Sequence, residues 1–178
     1  YPLRRQRQMC IRDRSKAVLP FDKNKFEHEL AKQQINQLYY SGQTDAGDEL
    51  ALSAQAAAES LEGQDKLEMK SVSATVKTKY GLEINATALF GEYLYSEKLL
   101  KMSGSVLISS STGYQLSTPA LLVSTDGTYI RGVGPVEGFS PMGKIQAGKI
   151  EIKRENANAP MQLWFSEKVM IDYEPKDI

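Results

Sequence analysis

The sequence has little of the residue types that most often carry chemistry. Its 178 residues include one cysteine, Cys10, and one histidine, His28. A single cysteine excludes an internal disulfide framework and a site built from several cysteines, and a single histidine excludes a His-rich metal site. His28 lies off the apolar stripe of a predicted helix, so we expect it to be solvated rather than catalytic. We therefore predict no enzymatic activity, no metal and no cofactor, with a carboxylate pair formed only by folding as the enzymatic alternative.

Long apolar runs are also lacking. No run approaches the roughly 18–20 apolar residues that a membrane-spanning helix needs. The net charge is zero, but residues 1–16 carry six basic residues and one acidic residue, which leaves 16 basic (22 − 6) and 21 acidic (22 − 1) residues in the remainder. An acidic body of net charge −5 excludes nucleic acid as the partner of the folded part.

The N-terminal segment, residues 1–16, does not resemble a folded element. The run from Met9 to Arg14 is a direct translation of ATG TGT ATA AGA GAC AG followed by a purine. That DNA resembles the mosaic-end adaptor of transposon-based sequencing libraries. An arginine-rich arm for nucleic acid or anionic lipid is the alternative. We predict that residues 1–16 are a non-native, adaptor-derived segment, so that Cys10 is not native and the natural N-terminus is missing.

The remainder divides into a short helical segment and a long β region. Asp22 or Asn24 can cap a helix over Pro20–Gln34, so we assign residues 17–34 to a short helix and linker. From Ile35 the apolar residues alternate, and turn signals such as Asp126-Gly127 separate the runs, so residues 35–175 are predicted to form one all-β, antiparallel domain. The predicted strands are Glu49–Ala56, Leu67–Thr78, Leu82–Leu89, Leu99–Ser109, Tyr114–Val123, Tyr129–Val133, Lys144–Lys153 and Met161–Tyr173.

A weak internal repeat with a nearly constant period runs through this region. Its first anchor recurs at Leu52, Ile84, Leu116 and Ile145, each followed by a small residue at the next position but one. Its second anchor recurs at Val72, Val106, Val136 and Val169. Two strands per repeat indicate stacked hairpin-like units that share one core.

The stretch from Gly132 to Ile152 is rich in glycine and proline. Its spacing departs from that of a dinucleotide-binding loop and no helix follows, so phosphate binding is excluded. We interpret Gly134, Gly138 and Gly143 as structural turn glycines that bend the sheet and keep it open.

The alternating apolar positions of the strands permit two interpretations. They can form a closed β-sandwich core, or they can line a groove for apolar chains, because small residues recur at corresponding places. Glycine- and proline-rich edges also favour addition of a partner's strand. The groove candidates are Leu52, Ala54, Met69, Val72, Ile84, Ala86, Met102, Val106, Leu116, Thr118, Val136, Ile145, Ala147, Phe165 and Val169.

From about Leu19 to Tyr173 the chain resembles the LptC family of periplasmic lipopolysaccharide-transport proteins, of the type found in alphaproteobacteria. The resemblance rests on the Leu19–Phe21 segment with its short helix and on four further stretches: Tyr40–Gly47, Leu99–Thr118, Gly134–Ala147 and Val169–Pro175. It implies a twisted, open antiparallel β-jellyroll of the LptA/LptC/OstA type. It further implies a non-enzymatic bridge component that receives lipopolysaccharide from the inner-membrane ABC transporter and passes it to periplasmic LptA, which docks by edge-strand addition.

The resemblance also implies a location at the periplasmic face of the inner membrane, with the anchor helix missing from this sequence. Three alternatives remain. The chain can be a soluble bridge protein of the LptA type, the N-terminal domain of the outer-membrane translocon, or a structural β-solenoid module with no lipid groove.

Overall fold

The computed structural model describes residues 35–60 and 65–173, which form one antiparallel sheet. No helix occurs in this described part, and the all-β prediction is confirmed. Residues 1–16 and the predicted helix over Pro20–Gln34 lie outside it. The strands are β1 (Ile35–Gln43), β2 (Glu49–Glu59), β3 (Lys66–Lys77), β4 (Glu83–Leu94), β5 (Leu99–Ser110), β6 (Gln115–Ser124), β7 (Tyr129–Val133), β8 (Val136–Ser140), β9 (Gly143–Ala147), β10 (Lys149–Lys153), β11 (Gln162–Ser166) and β12 (Met170–Tyr173).

The first six strands form a meander in which each strand pairs with the next. Successive side chains of a strand point to opposite faces, so the alternating sequence places its apolar residues on one face. One cross-strand row of that face continues from β1–β6 into β8, β9 and β12. Its members are Tyr40, Leu52, Ala74, Ala86, Ile108, Leu116, Gly138, Ile145 and Ile171.

The sheet divides into two branches at β6. Residues Ala120–Val123 of β6 pair with β7, whereas Gln115–Ser117 pair with β8. Pro119 lies between the two sets and has no N–H to donate to a ladder. The pairing of β5 with β6 shifts its register at the same level, between Ser103 and Val106. Pro119 therefore marks the position where one long strand changes partner.

After β6 the strands follow one another in three pairs, β7 with β8, β9 with β10 and β11 with β12, and a short break separates the two strands of each pair. The three breaks lie at the same level, so the strands form two branches, β7–β10–β11 and β8–β9–β12. The predicted single strand Lys144–Lys153 is wrong, because it is broken at Gly148 into β9 and β10. The predicted strand Met161–Tyr173 is also wrong, because Glu167 and Lys168 take consecutive left-handed φ angles of 64° and 54°, which interrupt an extended strand. Gly134 and Pro135 separate β7 from β8 in the same way.

The β7–β10–β11 branch packs over the buried face of the meander. The rings of Tyr114 and Phe165 lie 6.2 Å apart, and Ile152 and Leu163 line the same cavity as Ile84. One contiguous apolar cluster lies between the layers. The sheet does not close, because β1, β11 and β12 each pair on one side only within the described residues. This open, antiparallel arrangement agrees with the β-jellyroll that the family resemblance implied.

Candidate functional site

The interior between the layers contains most of the residues predicted to line a groove. Thirteen of the fifteen are buried, with exposed fractions of 6% or less. They are Leu52, Ala54, Met69, Val72, Ile84, Ala86, Met102, Val106, Leu116, Thr118, Val136, Ile145 and Ala147. The register brings them onto one continuous face that runs from the meander into the β8–β9–β12 branch, because strands in antiparallel pairs keep the same side chains on the same side.

The internal repeat has a direct structural counterpart in three units. Val72 faces Ala54, Val106 faces Thr118, and Val136 faces Ala147. In each pair the valine of the second anchor lies opposite the residue that follows a first anchor at the next position but one.

The fourth unit departs from the prediction. Val169 is 43% exposed and lies in the connection between β11 and β12, so it does not line the interior. The reason is the left-handed turn at Glu167 and Lys168, which ends β11 early. The carbonyl of Glu167 accepts a hydrogen bond from the N–H of Gly148 at 2.6 Å, which fixes this turn against the β9–β10 break. Phe165 is half-buried and packs against the core from β11.

The three predicted turn glycines occupy different positions. Gly134 lies at the β7–β8 break, where a Cβ atom would lie 3.3 Å from Pro119 Cγ, and Gly143 begins β9 after the β8–β9 turn. Gly138 is not a turn residue, because it lies inside β8. Its φ is 154°, and a Cβ atom there would lie 2.0 Å from the carbonyl oxygen of Gln115. Gly138 is therefore required by the close approach of β8 to β6.

A wide cleft, which we call the fork cleft, follows the line where the strands are interrupted. Its volume is about 1190 Å³. Its polar rim includes Glu137, Gln146 and Lys168, and its floor includes three of the predicted interior residues, Thr118, Val136 and Ala147. The cleft therefore brings the outer surface next to part of the apolar interior.

A smaller, mostly apolar cavity of about 170 Å³ lies between the ends of β4–β6 and the strands β10 and β11. Its walls include Ile84, Leu116, Ile152 and Leu163. A cavity of about 150 Å³ lined by aliphatic side chains can hold a small hydrocarbon such as benzene. The packing between the layers thus leaves room for a short piece of an apolar chain.

The open edge at β12 is exposed to solvent. All four residues of β12 are exposed, and Met170, Ile171 and Tyr173 are 60%, 44% and 71% exposed. Ile171 belongs to the same cross-strand row as the buried Ile145. The apolar face of the sheet thus continues to an uncovered edge, which favours pairing with another strand.

Polar contacts hold the two layers together at the edge where the β1–β2 and β3–β4 turns lie. Arg154, which follows β10, forms an ion pair with Asp48 of the β1–β2 turn, and both side chains are buried. The backbone N–H of Lys79 donates to Asp48 Oδ1 at 3.2 Å. We call this set of contacts, with those of Tyr80, the turn-edge clasp. No local pattern predicts it, because its charged partners are 106 residues apart.

The outward faces carry ordinary surface ion pairs. Glu151 is contacted by Arg131, Lys149 and Lys153. Burial alone would raise the pKa of Glu151, but hydrogen bonds from Lys149 and Arg131 hold the pKa below its ordinary value. Across the residues that the structure describes, no three His, Cys, Asp or Glu side chains cluster as metal ligands.

A second carboxylate is organised within the β6–β7 turn. Burial would raise the pKa of Asp126, but hydrogen bonds from Ser124 and Thr128 lower the pKa below its ordinary value. Ser124 is the last residue of β6 and Thr128 lies in the turn, so this carboxylate stabilises the turn rather than forming part of a reactive pair.

The comparisons with known proteins agree with this architecture. The family model described as "Lipopolysaccharide-assembly, LptC-related" matches residues 40–162, which is more than half of the chain. No curated protein matches the chain. None of the described residues belongs to a helix of the length and apolarity that crossing a bilayer requires. The resemblance noted in the sequence is thus confirmed: the chain belongs to the LptC family, whose members act in lipopolysaccharide transport at the inner membrane and periplasm.

Proposed function

We propose that this protein is a bridge component that carries lipopolysaccharide with its acyl chains between the two layers of the jellyroll. It receives the lipid from the inner-membrane ABC transporter and passes it to periplasmic LptA. The observation that carries the proposal is the fork cleft, because its lining includes the interior residues Thr118, Val136 and Ala147 beside outward-facing ones. A cleft of this kind gives an acyl chain a route from the surface to the apolar interior.

The physical role of such an interior is to keep hydrocarbon away from water. Each exposed methylene of an acyl chain costs about 0.8 kcal/mol. A row of apolar side chains that extends across β1–β6 into β8, β9 and β12 can remove that cost without breaking any bond. The direction of lipid transport must then come from the transporter, since a passive groove can move lipid only toward a site of higher affinity. We therefore propose a non-enzymatic role.

Small side chains support the lipid-binding interpretation over a core packed permanently shut. Ala54, Ala74, Ala86 and Ala147 are all buried in the interior. A long aliphatic side chain at each of these positions would fill the space that an acyl chain needs. The cavity of about 170 Å³ beside Ile84 and Leu116 is consistent with this reserve of room.

We propose further that LptA adds its strand to β12. The edge of β12 is open within the described residues, its four residues are exposed, and it continues the apolar row that includes Ile145. A strand added there would extend the lipid-shielding face from one protein to the next. The jellyroll domain of residues 35–175 would lie in the periplasm, held at the inner membrane by an anchor that precedes it.

The lipid proposal is tested by photo-crosslinking in a reconstituted transporter. A photoreactive residue replaces Leu116 or Ile145, which are buried, and the matched control replaces the exposed Glu83. We expect lipopolysaccharide adducts at the two interior positions and few at residue 83. Adducts at residue 83 alone, or none at all in a folded protein, would favour a structural β-module with no lipid groove.

The edge proposal is tested by binding of LptA to charge variants. Ile171→Lys places a charge on β12, and the matched control Trp164→Lys places one on another open edge, β11, where Trp164 is 51% exposed. We expect Ile171→Lys to weaken LptA binding at least tenfold and Trp164→Lys to leave it unchanged. The opposite order would move the docking edge to β11 and refute the assignment of β12.

A further inference from the structure

The turn-edge clasp brings a charged pair into the protein interior. The side chains of Arg154 and Asp48 are 4% and 0% exposed. Asp48 has a second donor in the N–H of Lys79, at 3.2 Å. Because Asp48 belongs to the meander and Arg154 follows β10, the pair joins the two layers rather than two neighbouring strands.

Further contacts repeat the same connection on the surface. Lys79 Nζ donates to the carbonyl of Ala157 at 3.4 Å, and the hydroxyl of Tyr80 donates to the carbonyl of Asn158. Both acceptors lie in the segment between β10 and β11. The β3–β4 turn therefore holds that segment by side chains alone, without any backbone ladder.

The clasp is closed at a cost. Arg154 Nε and Nη1 are buried and have no hydrogen-bond partner among the described residues. Buried donors without partners are unfavourable, and they would regain water if the layers separated. The closed state is thus stabilised by a charge-assisted hydrogen bond and destabilised by two unsatisfied donors. Because these two effects oppose each other, the clasp can open and close reversibly.

The position of the clasp connects it to the interior. Ile152, two residues before Arg154, lines the apolar cavity of about 170 Å³, and Leu82, at the end of the β3–β4 turn, lines it from the other layer. Separation of Asp48 from Arg154 would widen this cavity first. Apolar contacts elsewhere between the layers can then separate, because an acyl chain can take the place of the apolar side chains that move apart.

We propose that the turn-edge clasp is the gate of the interior: it opens to let an acyl chain enter between the layers and closes again when the chain leaves. This inference rests on the proposed lipid-carrying function and adds its regulation. It identifies Asp48, Arg154 and Tyr80 as residues that control lipid entry without touching the lipid-binding face.

The test locks the gate with a disulfide. A Cβ atom built at Gly127 in the β6–β7 turn lies 3.1 Å from Thr44 Cβ in the β1–β2 turn, which is shorter than the roughly 3.5–4.5 Å that a disulfide spans, so the two turns must move apart by a few tenths of an ångström. The new side chain at position 127 also has to accept a φ of 81°. The variant is Thr44→Cys/Gly127→Cys with Cys10→Ser, and it carries a photoreactive residue at Leu116. Purified lipopolysaccharide is added to the oxidised and to the reduced protein, and Thr44→Cys alone is the control for oxidant.

We expect the oxidised protein to give at least tenfold fewer adducts than the reduced protein, and the single-cysteine control to be unaffected by oxidation. Equal adducts in both states would overturn the gate while leaving the lipid-carrying function intact. No adducts in the folded, reduced protein would overturn the lipid-carrying function itself.

A second variant keeps the proposal testable if the double cysteine variant does not fold. Tyr80→Phe removes only the hydroxyl that binds the carbonyl of Asn158, and Tyr80 is 53% exposed. One lost hydrogen bond should favour the open state about two- to tenfold. We expect adduct formation to become faster by that factor, and an unchanged or slower rate would contradict the gate.

Discussion

Gly138 is the position where the structure predicts the largest effect of a single methyl group. It lies in β8 opposite Leu116 of β6, with a φ of 154°. A Cβ atom there would lie 2.0 Å from the carbonyl oxygen of Gln115 and 2.8 Å from the Cα of Leu116. Both are backbone atoms and cannot rotate away. Gly138→Ala must therefore push β8 off β6 where the second branch is attached.

The expected loss of stability has two parts. An unfavourable backbone conformation costs about 1–3 kcal/mol, and overpacking in a tight interior costs about 1–3 kcal/mol more. If β8 detaches entirely, the buried side chains of Val136 and Ile145 become exposed, at about 1.5–3 kcal/mol each. We therefore expect the free energy of unfolding to fall by about 3–5 kcal/mol.

A matched control separates the contact from the backbone conformation. Gly81, in the β3–β4 turn, has a φ of 86°, but a Cβ atom there would meet nothing within 4 Å. Gly81→Ala should thus cost only the backbone part, about 1–2 kcal/mol. Both variants are measured by urea unfolding at equilibrium, and amide hydrogen exchange reports which strands lose protection.

The comparison of the two variants decides the argument. We expect Gly138→Ala to lose about 1–3 kcal/mol beyond the loss in Gly81→Ala, which is the overpacking cost. We also expect its loss of amide protection to be confined to β8, β9 and β12. Equal losses in the two variants would show that β8 and β6 are not in close contact. Loss of protection in β10 and β11 would show that the two branches do not move separately.

Two further predictions concern charged residues. Asp48→Ala leaves Arg154 buried and unpaired, so it should lower the free energy of unfolding by about 3–5 kcal/mol. The double variant Asp48→Leu/Arg154→Met removes both charges and should lower it by less. Both losses are measured from urea unfolding midpoints, and a larger loss in the double variant would contradict the pairing. Burial would raise the pKa of Asp126, but two hydroxyl groups hold it below its ordinary value of 3.8. The ionised carboxylate therefore stabilises the folded state above pH 3.8, and this contribution is lost as the pH falls through the lower pKa of the folded state. The stability advantage of the natural protein over Asp126→Asn should thus shrink between pH 7 and pH 3, and an advantage that is unchanged would refute this.

The strands of the meander were predictable because their information is local. Alternation in Leu67–Thr78 and Leu99–Ser109 needs only neighbouring residues, and both predictions lie within a residue or two of β3 and β5. The β1 strand and the short β8 strand were not predicted individually. In β8, Val136 is the only buried residue, so the alternation that marks a strand is too weak to detect.

The strand breaks were harder to predict because their cause is partly distant. At Gly148 the local trace is a change of phase, since Ile145 and Ala147 alternate on one parity and Ile150 on the other. The partner that fixes the break is the turn at Glu167, which lies in another part of the sequence. Nothing in the sequence of Glu167 and Lys168 resembles a turn signal, and their left-handed conformation depends on tertiary contacts.

The aligned breaks and the clasp are related in one physical respect. Unbroken strands in place of the interrupted pairs would have coupled the branches by a continuous ladder, and neither branch could then move without disrupting the other. The break opposite Pro119 leaves the β7–β10–β11 branch attached to the meander by four residue pairs, Ala120–Val123 with β7. Beyond the end of β10 it is held by the contacts of Asp48, Lys79 and Tyr80. A gate needs one firm attachment and one reversible contact, and motion of a packed layer about such a hinge involves few backbone bonds. Proline at position 119 is therefore as much a part of the proposed gate as the ion pair, because it keeps the hinge short.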